Sequence, residues 1–397
     1  MEYLYLDNNA TTRPAPEVVR AMDEVHRELW ANPSSVHRFG QAVRQKIVLA
    51  RQAVAALIGA PNPREVIFTS GGTESDNLAL GGLRPGLVIS SVTEHSAVRE
   101  PVAAMGESGV RTMPVEVDIN GLIDPRKLAG LLEHAAEHDC TVVSIQWANN
   151  ETGVIQPIDE LAHVVRAARE KLRGVGGKGK IYLHVDATQA VGKLAVNVAE
   201  SGIDMLTLSA HKFHGPKGVG ALWVRRGVRL EPMQRGGPQE RELRGGTENT
   251  AGIVGMGVAA ELAGTFLADE SAIASCRARR DRFEQAVTAA VPSAHVHCRD
   301  APRLWNTTNI AFPGLEAEAI LLGLSERGVC ASAGAACSSG SLEPSPVLLA
   351  MGVPEPVAHG SVRFSISRQT TDDEIEQASG VVARVVERLG RTLPTSV

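Results

Sequence analysis

The chain has 397 residues, of which 43% are hydrophobic and 21% charged, a composition that is typical of packed globular proteins and excludes a disordered chain. At roughly 150 residues per domain, this length predicts two or three domains. The formal net charge of −5 argues against a protein that mainly coats nucleic acid or an anionic membrane.

Strand-like runs alternate with helical patterns from residue 60 to residue 225. Buried strands are predicted at 65–69, 87–90, 141–147, 181–185, 205–208 and 219–224. Helical periodicity fills the gaps, as at 158–171, where Ile158, Leu161 and Val165 form an apolar stripe. This alternation predicts an α/β fold whose mostly parallel sheet is covered on both faces.

The pattern changes after residue 227. A Gly/Arg-rich stretch at 235–246 leads into long helices near 249–267 and 271–290, followed by strands at 309–312 and 361–366 and a helix from Asp372. We therefore predict an N-terminal segment (1–14), a large α/β domain (15–257) and a smaller α+β domain (258–397). The apolar stretch 251–268 approaches transmembrane length, but its four glycines and Glu261 favour a buried helix.

Two short motifs suggest functions that their context argues against. The G-x-G-x-x-G match at 174–179 follows a helix and precedes a strand, the reverse of a dinucleotide fingerprint, so we interpret it as a surface connector. His134 and His138 complete an H-x-x-E-H match, but Leu128, Leu131 and Leu132 predict the buried side of an amphipathic helix. We expect no zinc there and no resident metal elsewhere.

Two strand ends carry charged residues. Asp186 ends one predicted buried strand, and Lys212 follows the end of the next. Each alone is explained more simply, as a helix N-cap and as a solvated loop charge. Because ligands of open α/β sheets bind beyond the carboxyl ends of the strands, the pair suggests a Schiff-base lysine and an acid that keeps a pyridinium nitrogen protonated. Pyridoxal phosphate requires both groups.

A strand, a glycine turn and a helix start follow one another at Thr69-Ser70-Gly71-Gly72-Thr73. Free backbone N–H groups and the helix dipole favour an anion such as a phosphate at such a helix start. Taken alone, the motif fits a simple turn equally well.

Small residues fill the stretch 331–341, with Cys337 as their one cysteine. Such a run cannot pack a core and predicts a loop, so Cys337 is a candidate reactive thiol. Cys330 lies in a strand-like run and is predicted to pack. The five scattered cysteines indicate no disulfide framework, and with an N-terminus that lacks a signal-peptide pattern they predict a cytoplasmic protein.

These residues resemble the cysteine desulfurases, the NifS/IscS branch of the class V aminotransferase family, along nearly the whole chain. The resemblance rests on ordered motifs, chiefly Tyr5-Leu6-Asp7-Asn8-Asn9-Ala10-Thr11-Thr12, Thr69-Ser70-Gly71-Gly72-Thr73-Glu74-Ser75, Thr93-Glu94-His95, Asn149-Asn150-Glu151-Thr152-Gly153, His184-Val185-Asp186-Ala187-Thr188-Gln189, Ser209-Ala210-His211-Lys212, Gly246-Thr247-Glu248-Asn249 and Ser361-Val362-Arg363-Phe364-Ser365. The long serine-rich loop around Cys337 resembles the first group of desulfurases. The motif Gly246-Thr247-Glu248-Asn249, with Ala358-His359-Gly360, is most similar to the nitrogenase-associated NifS type.

The resemblance implies a fold of the aspartate aminotransferase type (fold type I), with pyridoxal 5'-phosphate in the large domain and the catalytic cysteine in the small one. It gives Lys212 the covalent bond to the cofactor, Asp186 the pyridine nitrogen, His95 ring stacking and proton transfer, and Arg363 the substrate carboxylate. The remaining contacts would come from Gln189 and Asn150 near the phenolic oxygen and substrate, from Gly72, Thr73, Ser209 and His211 at the phosphate, and from Thr247 of the second subunit of a homodimer.

The implied reaction converts L-cysteine to L-alanine and leaves a persulfide on Cys337. The implied sulfur acceptor is an iron–sulfur scaffold of the NifU/IscU type, toward which Cys337 could also act as a transient cluster ligand; neither nucleic acid nor membrane is an expected partner. Two alternatives stay open: a class V aminotransferase or selenocysteine lyase, and a non-catalytic sulfur carrier or assembly scaffold. Ser338 and Leu349 depart from the usual family residues, as does the long 173–180 loop.

Overall fold

The centre of the molecule is a seven-stranded sheet. We analysed a computed structural model, which describes residues 3–334 and 343–392. The strands of this sheet are β2 Val66–Thr69, β3 Leu87–Ser91, β4 Arg111–Val115, β5 Cys140–Gln146, β6 Lys180–Asp186, β7 Met205–Ser209 and β8 Gly220–Val224, in the spatial order β2-β8-β7-β6-β5-β3-β4. Strands β4, β3, β5, β6 and β7 pair in parallel, whereas β8 runs antiparallel to both of its neighbours. The predicted mostly parallel α/β sheet is confirmed.

Helices pack against this sheet. They are α1 Pro16–Glu28, α2 Arg38–Leu57, α3 Gly72–Gly81, α4 Ser96–Glu107, α5 Pro125–Leu131, α6 Ile158–Gly174 and α7 Thr250–Leu267. Helices α3 and α4 contribute to two small hydrophobic clusters, and the other five contribute to the larger hydrophobic core. Helix α6 shows how sequence sets this packing: Ile158, Leu161 and Val165 are buried, and acidic residues occupy its first turn. The 174–179 connector lies between the end of α6 and the start of β6, as predicted.

A second, smaller core lies in the C-terminal part of the chain. Its elements are α8 Glu270–Ala290, β9 His295–Val296, β10 Thr307–Ala311, α9 Ala317–Ser325, β11 Val329–Cys330, α10 Pro346–Ala350, α11 Glu355–His359, β12 Ser361–Ser365 and α12 Asp372–Thr392. Strands β12, β10 and β9 form an antiparallel sheet. The N-terminal strand β1, Leu4–Tyr5, pairs in parallel with β11 and carries the chain start from this core toward the large sheet.

The division into an N-terminal segment (1–14), a large domain (15–257) and a small domain (258–397) remains a prediction. The limit at 257/258 falls within α7, whose Ile253, Met256, Ala259 and Ala260 all pack into the larger core. Leu6 packs into the smaller core, with residues that include Phe283 and Phe364.

Helix α7 is, within the described ranges, the one helix long and apolar enough to cross a membrane by length and composition alone. Half of that span is buried inside the protein. An added Cβ at Gly257 would lie 2.6 Å from the Cα of Ala50, so the helix lies against the backbone of α2. This packing agrees with the predicted buried helix.

The H-x-x-E-H stretch begins in a 3-10 helix, Leu132–Glu137, that directly continues α5. Leu128 and Leu132 are buried and Leu131 packs against the core, as predicted for the apolar side of an amphipathic helix. Nδ1 of His134 lies 2.9 Å from the Glu137 carboxylate, which also pairs with Arg111. Across residues 3–334 and 343–392, no cluster of three or more His, Cys, Asp or Glu side chains could hold a metal ion.

Candidate active site

A cavity of about 690 Å³ lies at the carboxyl edge of β5, β6 and β7. Ten of the residues singled out in the sequence line it: Gly72, Thr73, His95, Asn150, Asp186, Gln189, Ser209, His211, Lys212 and Arg363. Thr247 is exposed and does not line this cavity. Cys337 lies outside the described residues, but Gly334 and Pro346, one on each side of the undescribed segment, both line the cavity.

Lys212 reaches the cavity from a 3-10 turn that directly follows β7. Its Nζ donates to the carbonyl oxygens of Asn9 at 2.6 Å and Ala10 at 3.0 Å. The N-terminal segment thus forms one wall of the site around the lysine amine. The fold, not the local sequence, brings these two carbonyls to Lys212.

Asp186 is the last residue of β6, and its side chain is buried, with 2% of the residue exposed. Its Oδ1 accepts a hydrogen bond from the backbone N–H of Thr188 at 2.9 Å. Because the carboxylate is held at a strand end inside the cavity, a cationic ring nitrogen is a chemically suitable partner for it.

A buried polar network lies behind Asp186. Nδ1 of His184 lies 2.9 Å from Ser144 Oγ, and Nε2 lies 3.0 Å from Thr207 Oγ1. Burial lowers the pKa of His184 to about 4, although the charge of Asp186 acts in the opposite direction. The imidazole is therefore neutral at physiological pH.

Two further acids that the sequence reasoning missed, Asp76 and Glu94, also line the cavity. Glu94 accepts the backbone N–H of Gln146 at 2.7 Å, but its other oxygen and Asp76 Oδ1 have no hydrogen-bond partner among the described residues. Burial, aided by the charge of Asp186, raises the pKa of both carboxyl groups well above the usual range. Glu94 was detectable as the middle residue of the Thr93-Glu94-His95 motif, whereas Asp76 inside α3 gave no such signal.

The start of α3 is built as an anion cradle. Gly72 opens the helix, and an added Cβ there would lie 3.0 Å from Thr188 Oγ1, so this position leaves little room for a side chain. Thr73, Ser209 and His211 complete the wall with hydroxyl and imidazole groups. Burial, followed by the nearby charge of Lys212, lowers the pKa of His211 to about 4. The helix N-terminus and these donors suit a phosphate.

His95 is the N-cap of α4. Its Nδ1 accepts the backbone N–H of Ala97 at 3.1 Å, an arrangement that assigns the ring proton to Nε2. Burial, with a smaller contribution from Lys212, lowers the pKa of His95. A neutral imidazole with a fixed orientation is suited to stacking on a ring and to proton transfer.

Asn150 and Gln189 are fixed by other amides. The side-chain oxygen of Asn150 accepts from Gln146 Nε2 at 3.1 Å. Gln189 donates through Nε2 to the carbonyl oxygen of Asn9 at 2.9 Å and accepts from buried Lys193 at 2.5 Å. Lys193, which the sequence reasoning missed, thereby orients Gln189 at the edge of the cavity.

Arg363 comes from the small C-terminal sheet, between the core residues Val362 and Phe364 of β12. It is 2% exposed; one guanidinium nitrogen donates to Asp7 at 2.7 Å, and the other to the Asn150 carbonyl oxygen at 3.0 Å. Its buried Nε–H has no hydrogen-bond partner in the described part of the chain. A guanidinium held in this way offers a fixed fork for a carboxylate.

Comparisons with known proteins decide the family. Residues 4–378 match the family described as "Aminotransferase class-V". The chain belongs to the class V aminotransferase family. The cysteine desulfurase NifS of Azotobacter vinelandii is 45% identical to this chain, and the match covers 99% of this chain and 95% of the relative. Cysteine desulfurase 2 of Trichormus variabilis is also 45% identical, and that match covers 100% of this chain and 96% of the relative.

Solved structures of similar proteins agree with this class V fold. A NifS-like protein superposes with a TM-score of 0.87 at 32% identity, over 98% of this chain and all of the other. SspA in complex with cysteine superposes with a TM-score of 0.78 at 33% identity, over 91% and 98% of the two chains. The predicted fold type I architecture is confirmed.

Class V enzymes depend on pyridoxal phosphate, and the cavity of this family member fits that group. A primary amine at Lys212 can form the covalent bond, and the buried carboxylate of Asp186 suits a protonated pyridine nitrogen. The α3 N-terminus with Ser209 and His211 suits the phosphate. These residues therefore match the aldehyde, the ring nitrogen and the phosphate of the cofactor.

Proposed function

We propose that this chain is an L-cysteine desulfurase that releases L-alanine and receives the sulfur as a persulfide on Cys337. One observation carries the proposal: Lys212, Asp186 and Arg363 converge in a single cavity that is also lined by the two residues flanking the segment with Cys337. The names of the relatives, which are cysteine desulfurases over nearly full length, support the same activity.

Pyridoxal phosphate, when bound, withdraws electrons from the α-carbon of an amino acid attached to it. Lys212 would hold it covalently, and Asp186 would keep its ring nitrogen protonated. Arg363 would orient the substrate by its carboxylate. The amine of Lys212 would take the α-proton, and His95 would stack on the ring and move a proton through Nε2.

Sulfur transfer is assigned to Cys337. Its thiolate attacks the substrate sulfur, so that an S–S bond forms as the C–S bond breaks. The electron pair of the C–S bond stays with the β-carbon, which takes up a proton and becomes the methyl group of alanine.

The other four cysteines are poor candidates for this step. Burial raises the pKa of the thiol of Cys140 to about 11 and that of Cys298 to about 12. Burial also raises the thiol pKa of Cys276 and Cys330. Since the thiolate is the nucleophile, Cys337 is left as the strongest candidate.

The proposal includes a sulfur acceptor, a cellular location and an assembly state. The persulfide is passed to an iron–sulfur scaffold of the NifU/IscU type in the cytoplasm, with Cys337 as a transient cluster ligand. The enzyme works as a homodimer in which Thr247 completes the phosphate site of the second subunit. The NifS name of a relative and the exposure of Thr247 outside its own cavity support these assignments.

The activity is tested on the purified protein loaded with pyridoxal phosphate. L-Cysteine and a thiol reductant should yield sulfide and alanine in equal amounts. Cys337→Ala should retain the absorbance of the lysine-bound cofactor and lose sulfide release, whereas Lys212→Ala should lose that absorbance. An active Cys337→Ala protein would contradict the assignment of the nucleophile. Absorbance without sulfide would favour an aminotransferase, and faster turnover of selenocysteine a lyase for that substrate.

A further inference from the structure

We propose that Glu151 is a positioning residue for sulfur transfer, because its carboxyl group contacts both ends of the segment that carries Cys337. This inference rests on the proposed function, since it assigns the residue that fixes Gly334 and Ser345, described residues that lie before and after the segment with the nucleophile. Glu151 is 4% exposed and lines the cavity.

Ser345 provides the contact after the segment. Its hydroxyl donates to Glu151 Oε2 at 2.5 Å and accepts the backbone N–H of Leu348 at 3.2 Å. Ser345 is itself 5% exposed and is the N-cap of α10. A hydroxyl can donate one hydrogen bond while accepting another, so Glu151 is linked directly to the helix that resumes the chain.

Gly334 provides the contact before the segment. An added Cβ at this position would lie 2.5 Å from Glu151 Oε2, and φ is +94°, so both space and backbone geometry require glycine. The N–H of Gly334 donates to Ser332 Oγ at 3.1 Å, and Ser332 pairs with the backbone of Arg363. The same carboxyl oxygen therefore lies against Gly334 and binds Ser345, eleven positions later in the sequence.

Glu151 is well fixed for this task. Its backbone N–H donates to Asn149 Oδ1 at 2.9 Å, and its carbonyl accepts from Asn309 Nδ2 at 3.4 Å. Burial raises the pKa of its carboxyl group, against the opposing effects of the Ser345 hydroxyl and of the Arg363 and Arg99 guanidinium groups. Its acceptor oxygen serves Ser345 in either protonation state.

The consequence for Cys337 follows from chain length. Cys337 is three residues after Gly334, and three residues span at most about 11 Å when extended. Fixing Gly334 therefore limits the distance of the thiol from the cavity. Misplacing a reacting group by about 1 Å can cost about 100-fold in rate.

The test compares two substrates in four variants of the cofactor-loaded enzyme. L-Cysteine needs attack by the Cys337 thiolate, whereas the sulfur group of L-cysteine sulfinate leaves as sulfur dioxide, which hydrates to sulfite, without a nucleophilic thiol. Glu151→Ala and Ser345→Ala remove the hydrogen bond; Glu151→Gln and Ser345→Thr are matched controls that keep an acceptor and a hydroxyl.

We expect Glu151→Ala and Ser345→Ala to lower the turnover of L-cysteine roughly 10- to 100-fold. Turnover of the sulfinate and absorbance of the bound cofactor should stay at the wild-type level, and both controls should stay close to wild type.

Equal losses on both substrates would overturn the inference, because they would indicate general damage to the site. A Glu151→Gln variant as slow as Glu151→Ala would also overturn it. Failure of the proposed function is distinguishable, since the wild-type enzyme itself would then release no sulfide from L-cysteine.

Discussion

At the scale of single residues, the site depends on charges and polar groups that burial controls. Asp186 is a carboxylate at a strand end, surrounded by Asp76 and Glu94, whose pKa values burial raises. This shift disfavours a negative charge on either of these two acids. The Asp186 side chain lies in the cavity where a cationic ring nitrogen would bind.

Asp186→Asn tests this arrangement. The neutral amide keeps the shape of the side chain but cannot stabilise a protonated ring nitrogen, so we expect desulfurase turnover to fall by about 100-fold or more. The measurement is steady-state alanine formation with saturating cofactor. Asp159→Asn, in the first turn of α6, is the matched control and should leave turnover unchanged. Full activity of Asp186→Asn would contradict the role of the charge.

His184 gives a pH prediction for stability. Its pKa is about 4 in the folded protein and about 6.5 when unfolded, so the unfolded state takes up the proton first as the pH falls. Its contribution is fully present above pH 6.5 and is lost between about 6.5 and 4. By linkage this costs about 2 kcal/mol between pH 7.5 and pH 5.

We expect His184→Gln to reduce the difference in unfolding free energy between pH 7.5 and pH 5 by about 2 kcal/mol. Urea unfolding of both proteins at both pH values gives this difference. The variant also loses hydrogen bonds, but that loss applies at both pH values and cancels in the comparison. An unchanged difference would mean that His184 titrates normally in the fold.

At the scale of elements, helix α7 shows how glycine decides packing. Gly257 lies against the backbone of Ala50, whereas an added Cβ at Gly264 would meet nothing within 4 Å. The first glycine permits close approach of two helices. The second contributes only backbone freedom, which weakens a helix.

Gly257→Ala should therefore destabilise the protein by about 1–3 kcal/mol, because the added methyl group clashes with backbone that cannot rotate away. Gly264→Ala is the matched control and should be neutral or stabilising by up to about 1 kcal/mol. Thermal unfolding of the two variants beside wild type measures both effects. A stable Gly257→Ala protein would show that α2 and α7 can separate without cost.

Elements with a clear apolar period were predictable, and elements without one were not. The strands at β2, β3, β5, β6, β7 and β8 start and end within one or two residues of their predictions, because their buried side chains leave a continuous apolar run. Strand β4 was missed because Arg111, Thr112 and Pro114 are exposed at the sheet edge. The two-residue strands β1 and β11 depend on each other and carry no pattern of their own.

At the scale of the whole molecule, the proposed homodimer predicts complementation between two defective chains. Lys212→Ala inactivates its own site, and Thr247→Ala impairs the site of the partner. In a mixed dimer one site has both Lys212 and Thr247 intact. Co-expressed chains should therefore exceed the summed activity of the separate variants, measured as sulfide release per protein. No gain in a verified mixed dimer would contradict the assignment of Thr247.

The sequence by itself determined the α/β class and singled out Asp186, Lys212 and the Gly72-Thr73 turn, because strand ends and glycine turns leave local patterns. The other cavity residues were predicted through the resemblance of ordered motifs to one family. The tertiary structure decided which distant groups meet there. Asn9 and Ala10 lie on Lys212, Asp7 pairs with Arg363, and Glu151 contacts both Gly334 and Ser345. No local pattern encodes these contacts, since they arise only when the N-terminal segment and the smaller core pack against the carboxyl edge of the large sheet.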